Sequence, residues 1–178
     1  NSYYFHKDDN VITNKEEVCG DFEKLINLQL KEKHPKSWMR AFFNMGLINY
    51  IEGSRRMLPC QAGEMNFFVE PYGDIYPCNG LEKKYWKKSM GNIRETPNFK
   101  EIWEGEQAEQ VRQMVRRCPK NCWMVGTASP VMHKYIKYPL KWALKNKLRS
   151  LQGKTACLDK CWYNVGQDPS QGDLREVF

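Results

Sequence analysis

No run of about 18 uncharged apolar residues occurs in this sequence, which excludes a membrane-spanning α-helix. The chain opens on Asn1, with no Met and no charged-then-apolar leader after it, and is expected to be an internal stretch of a longer one. Its 7 cysteines in 178 residues are too sparse, and odd in number, for a secreted disulfide scaffold. A reducing, cytoplasmic compartment is the expectation, with thiolates serving a metal. Only 3 histidines are present, no Ser/His/Asp or paired-carboxylate arrangement stands out, and no phosphate-binding glycine loop is found. Acidic residues are absent between Glu109 and Asp159, while lysines and arginines recur throughout that stretch. Such asymmetry points to an anionic partner, a local anion to be balanced, or a solvated basic helix.

What is present argues for a folded protein. The hydrophobic fraction is 41% and the aromatic fraction 13%. Ser2–Phe5 reads as the end of a strand and Asp8–Asn10 as a turn. Thr13 with Glu16 forms a capping-box pattern, opening a helix whose apolar face holds Val18, Phe22, Leu25, Ile26 and Leu28–Leu30, and which ends before Pro35. Ser37 caps a second helix, with Trp38, Phe42, Met45 and Ile48 inward, ending near Gly53. A strand followed by such helices looks like the last part of an α/β barrel.

From Leu58 the pattern changes. Met65, Phe67 and Val69 alternate, Glu70–Asp74 supplies turn residues, and Ile75–Pro77 completes a short hairpin. Gly91–Ile93 is a short extended piece, and Thr96-Pro97 starts a helix that buries Phe99, Ile102, Trp103, Val111 and Met114 and stops before Pro119. Ser129-Pro130 opens a further helix that Pro139 breaks or restarts. Leu140, Leu144, Leu148 and Leu151 then form an apolar stripe, and Gly153 closes the helix.

Cys60 and Cys78 flank the hairpin, and Cys118 and Cys122 sit in the turn after a helix. Two local pairs of thiolates can converge tetrahedrally around a [4Fe–4S] cluster. Arg116, Arg117 and Lys120 are close enough in sequence to offset its negative charge, and Met57, Phe67, Phe68 and Trp123 are candidates for an apolar shell. Structural zinc also takes four thiolates, but zinc ribbons use close pairs, which the 17 residues between Cys60 and Cys78 do not match.

Phe67-x-Val69-x-Pro71-x-Gly73-x-x-Tyr76-Pro77-Cys78, with Cys60 ahead of it, resembles the opening motif of the SPASM and Twitch iron–sulfur domains of radical SAM enzymes. Gly91-Asn92-Ile93, Phe99–Trp103 and the closing Cys118-x3-Cys122-Trp123 are similar to later parts of that pattern. The resemblance implies a [4Fe–4S] cluster on Cys60, Cys78, Cys118 and Cys122, serving electron transfer or substrate positioning. The C-x2-C-x5-C run of a second auxiliary cluster is absent, so the shorter, one-cluster Twitch arrangement is nearer. The C-x3-C-x2-C motif of the SAM-binding cluster is absent too: Val125 and Asn164 stand where a third cysteine would follow Cys118-x3-Cys122 and Cys157-x3-Cys161. The chain is therefore not expected to cleave S-adenosylmethionine alone, and would need a radical SAM core in cis or trans, acting on a substrate such as a peptide or a sugar.

The fold class implied is α+β. Residues 1–57 would be the tail of a partial (β/α) barrel, 58–126 the β-hairpin-plus-helix cluster domain, and 127–178 a basic helical extension. Cys157 and Cys161 repeat the spacing of Cys118 and Cys122 and are candidates for a second metal site, with Cys19 or His133 as possible company, although two cysteines fall short of a ligand set. Cys19 reads as a small buried hydrophobe. His6 would stand where barrels bind ligands, and His34 and His133 lie at a helix end and on a helix surface. Lys134, Lys137, Lys141 and Lys145, beside Tyr135, Tyr138 and Trp142, form a stripe suited to an anionic membrane surface; no base-reading motif accompanies it, which argues against nucleic acid. A non-catalytic, metal-stapled module working through this basic helix is the alternative reading.

Overall fold

The computed structural model describes residues 12–78, 88–118 and 120–158. In chain order their elements are α1 (Lys15–Lys31), α2 (Pro35–Ile51), β1 (Phe68–Val69), β2 (Asp74–Tyr76), β3 (Gly91–Asn92), α3 (Phe99–Glu104), α4 (Glu106–Arg116), α5 (Val125–Lys134) and α6 (Lys137–Leu151). Helices together with a small antiparallel sheet make the class α+β. None of the described helices is long and apolar enough to cross a membrane. The expected strand at Ser2–Phe5, the turn at Asp8–Asn10 and His6 lie outside the described residues. Two compact units are distinguished: one gathers the chain up to Leu58, Asn121–Trp123 and Met132–Val165, the other Pro59–Lys120 and Met124–Val131.

In the first unit, α1, α2 and α6 pack against one another. The entry to α1 lies one residue later than the capping box predicts: Asn14 is the N-cap, its Nδ2 donating to Glu17 Oε2 at 2.8 Å. Pro35, whose fixed φ and missing N–H suit a first helical turn, opens α2, with His34 as N-cap three residues before the expected Ser37. Ile26, Leu30, Phe42, Met45 and Ile48 are buried as their periodicity requires, whereas Leu25 and Leu28 face solvent. α6 turns Pro139, Trp142, Ala143 and Asn146 inward, with Trp142 edge-on to Phe42 at 5.6 Å between centroids.

Lys147 of α6 finishes α1. Its Nζ donates to the carbonyls of Leu30, Lys31 and Glu32 at 2.8, 3.2 and 2.9 Å, satisfying oxygens that have no partner within the helix. It also lies 5.1 Å from the centroid of the Trp38 ring. Lys147→Met keeps the aliphatic length and removes these bonds; it is expected to cost about 1–2 kcal/mol, since they are partly open to water. The readout is a lower urea midpoint at unchanged slope.

The second unit holds the sheet, in the order β1-β2-β3. Phe68 pairs with Tyr76 and Val69 with Ile75, and Ile75 in turn with Gly91. Gly73 has a φ of 92° in the β1–β2 turn, and a Cβ there would meet Asn92 Oδ1 at 2.8 Å. Both conditions call for glycine. The Asn92 side chain ties the turn down, donating to Tyr72 O at 3.2 Å and Asp74 Oδ1 at 3.0 Å. Beneath the sheet Ile75, Met90, Ile102, Ala108 and Val111 form one buried cluster, with Trp103 against it.

The single helix expected after Thr96-Pro97 is two. Gly105 adopts an extended conformation (φ −70°, ψ 156°), ending α3 and serving as N-cap of α4, whose first turn carries Glu106 and Glu109. α5 begins at Val125, ahead of the expected Ser129-Pro130 start, so Pro130 sits inside it.

Candidate metal centre

Cys60 enters a tight turn in which Gly63 N–H donates to Asn66 O at 2.8 Å and Met65 N–H to Gln61 O at 2.9 Å. Asn66 Nδ2 in turn donates to Pro77 O at 3.2 Å, so the segments bearing Cys60 and Cys78 are tied directly to each other. Cys118 ends the last turn of α4, its N–H donating to Val115 O at 3.0 Å. These three cysteines converge: Cys60, Cys78 and Cys118 all pack against a buried cluster of Ala62, Tyr76 and Val115, together with Phe68 and Met114. A cleft of about 250 Å³ opens beside Cys78, lined also by Asn66, Phe67, Phe68, Met124 and Thr127. The donors are thiols in half-buried, largely apolar surroundings, a set that suits an iron–sulfur cluster. At direct metal-holding distances, no group of three or more Cys, His, Asp or Glu side chains is present among the described residues.

Cys122 is placed by the first unit. Its carbonyl accepts from Arg56 Nη1 at 2.6 Å, while Arg56 Nε donates to Leu58 O at 2.9 Å and the guanidinium lies 5.5 Å from the Trp123 centroid. Asn121 Nδ2 donates to Ser54 O at 3.0 Å. Trp123 is laid flat against α2, its Nε1 donating to Phe43 O at 2.8 Å and its ring stacked on Phe43 at 6.3 Å. Arg56 and Asn121 tie down the backbone around Cys122, and the sequence alone did not single them out, because nothing in their spacing marks them.

Three expectations change at this level. Of the aromatic residues proposed as a shell, Phe68 packs with the cysteines, but Phe67 is exposed, tilted against Phe99 (4.9 Å) and edge-on to Trp103 (5.6 Å). The alternation in β1 is real, and it turns Phe68 inward and Phe67 and Val69 outward. Met57 and Trp123 belong to the packing of the first unit. Arg116 is already engaged, bridging Glu64 (3.1 Å) and Glu109 (3.0 Å), and its guanidinium holds the Glu109 carboxyl below the ordinary carboxylate value.

Arg112 joins α4 to the Cys60 turn. Its Nε donates to Gly63 O at 2.8 Å, Nη2 donates to Trp103 O, and the guanidinium lies over the Trp103 ring at 4.8 Å. Arg112→Met leaves those carbonyls without their donor. The expected cost is about 2–3 kcal/mol, seen as a drop in melting temperature together with weaker metal retention.

Cys157 lies in the first unit, where its N–H donates to Asn146 Oδ1 at 2.6 Å; Cys161 lies outside the described residues. Cys19 is half-buried on α1, and His34 and His133 are exposed.

Comparison with known families bears on this cysteine pattern. Residues 60–124 match the SPASM model, an iron-sulfur cluster-binding domain. The match covers a little over a third of the chain and includes Cys60, Cys78, Cys118 and Cys122. The matched segment takes in the sheet, α3, α4 and both Cys118 and Cys122. No curated protein and no solved structure matches the chain.

Proposed function

We propose that Cys60, Cys78, Cys118 and Cys122 hold one [4Fe–4S] cluster, and that the chain is the auxiliary-cluster portion of a radical SAM enzyme. The observation that carries this is the convergence of Cys60, Cys78 and Cys118 on one buried cluster within the SPASM segment. Cys122 completes the set through its place in the same segment. When bound, such a cluster supplies a one-electron donor or acceptor with every iron ligated by protein sulfur. That favours electron transfer over direct ligation of a substrate.

This chain's own residues do the holding. The Asn66–Pro77 bond and the Gly63 turn fix the hairpin cysteines, α4 presents Cys118, and Arg56 orients the Cys122 peptide. Phe68 and Met114 limit water beside the thiols. SAM cleavage needs a radical SAM core, in cis or in trans, and residues 1–57 would be the end of its partial barrel. The substrate would be met by that core; a peptide or a sugar fits the family resemblance, in a cytoplasmic setting.

Anaerobic reconstitution with iron and sulfide tests the reading. The expected product is brown, carries about four irons per chain, and becomes paramagnetic on one-electron reduction. A colourless protein with one tightly bound zinc overturns it.

A further inference from the structure

The leucines of α6 that periodicity places in an apolar stripe are not core. Leu140, Leu144, Leu148 and Leu151 are 43, 46, 62 and 71% exposed, while Pro139, Trp142, Ala143 and Asn146 face inward. Lys137, Lys141 and Lys145 are exposed as well, each three residues ahead of a leucine, so the two rows lie side by side on the outer surface. Leucine is costly to leave in water when it forms a continuous row, and such faces mark interaction sites.

We infer that the outer face of α6 docks on an anionic lipid surface, the leucines entering the acyl boundary and the lysines meeting headgroups. Charge selects this occupant. No carboxylate occurs between Glu109 and Asp159, so the whole helix and its approach are positive. A second copy laid leucine row against leucine row would set lysine beside lysine, with no acidic residue on either helix to offset them. An anionic bilayer satisfies both rows at once. Just ahead of the helix Lys134 lies 5.9 Å from the Tyr135 ring, and at its start Lys137 lies 5.0 Å from the Tyr138 ring, amphipathic pairs suited to the headgroup level. This inference does not depend on the cluster.

Sedimentation of the full chain with vesicles tests it, comparing phosphatidylcholine alone with phosphatidylcholine containing about 30% phosphatidylserine, the anionic lipid of cytoplasmic leaflets. Binding is expected only to the anionic vesicles and should weaken with salt. The pairs Leu144→Ser/Leu148→Ser and Lys141→Gln/Lys145→Gln should each lower partitioning about tenfold or more, with circular dichroism unchanged. The cluster-ligand variant Cys78→Ala should bind like the parent. Three results overturn the inference: no binding to anionic vesicles, equal binding to neutral ones, or leucine variants that bind vesicles like the parent. A dimer that only the leucine changes dissolve, or retention on duplex RNA without vesicle binding, does the same.

Discussion

Cys78→Ala leaves the reconstituted protein nearly colourless, with iron falling from about four per chain to below about one. The reason lies in how little Cys78 can be replaced. It follows Pro77, which is fully buried and whose carbonyl is held by Asn66, so the backbone cannot slide another donor into place. The thiol is one of three packed on Ala62, Tyr76 and Val115. Alanine keeps that packing and deletes only the ligand, so folding should survive while metal does not. Cys60→Ala, Cys118→Ala and Cys122→Ala should behave alike, whereas Cys19→Ala should keep its colour. An unchanged visible spectrum and iron content in Cys78→Ala would remove the ligand assignment.

Gly46→Ala should be the most damaging single methyl group in the first unit. A Cβ at Gly46 would lie 2.1 Å from two atoms of the Trp123 indole. The ring cannot move aside cheaply, because its Nε1 is bonded to Phe43 O, Phe43 stacks on it and Phe42 meets it in a T-shaped contact. Overpacking of this kind costs about 3 kcal/mol, against roughly 1 kcal/mol gained from better helix propensity. The net loss is about 2 kcal/mol, read as a shift in the urea midpoint. Trp123 follows Cys122, so the displacement should also loosen the bound metal. Gly20→Ala provides the contrast. Nothing lies within 4 Å of a Cβ there, and the same change in α1 should stabilise by about 0.5–1 kcal/mol. A stabilised Gly46→Ala would show that the indole is not seated on α2.

The hairpin and its turn were legible in the sequence because each has a local cause. Gly73 needs its left-handed φ, and the alternation around it follows from the pleat. The helix break at Gly105 also had a local sign, a glycine followed by Glu106 and Glu109, but no proline reinforced it. Harder to read was which face of α6 is buried. Its inward side includes Asn146, which is fully buried yet satisfied at both ends of its amide by Trp142 O and Cys157 N–H. Hydropathy ranks asparagine outside and leucine inside, and here tertiary hydrogen bonds reverse that order. Arg56, Arg112 and Gly46 were silent in sequence for a related reason: their partners lie far along the chain.

The reach of Lys147 also bears on the order in which the molecule is made. Its bond to Leu30 closes 117 residues of chain, so α1 and α2 leave the ribosome long before the helix that completes their unit. Pro59–Lys120, by contrast, is one continuous stretch with its sheet and α3–α4 partners close in sequence. Three of the four proposed sulfur ligands are thus synthesised and folded while the helical unit still waits for its last strut.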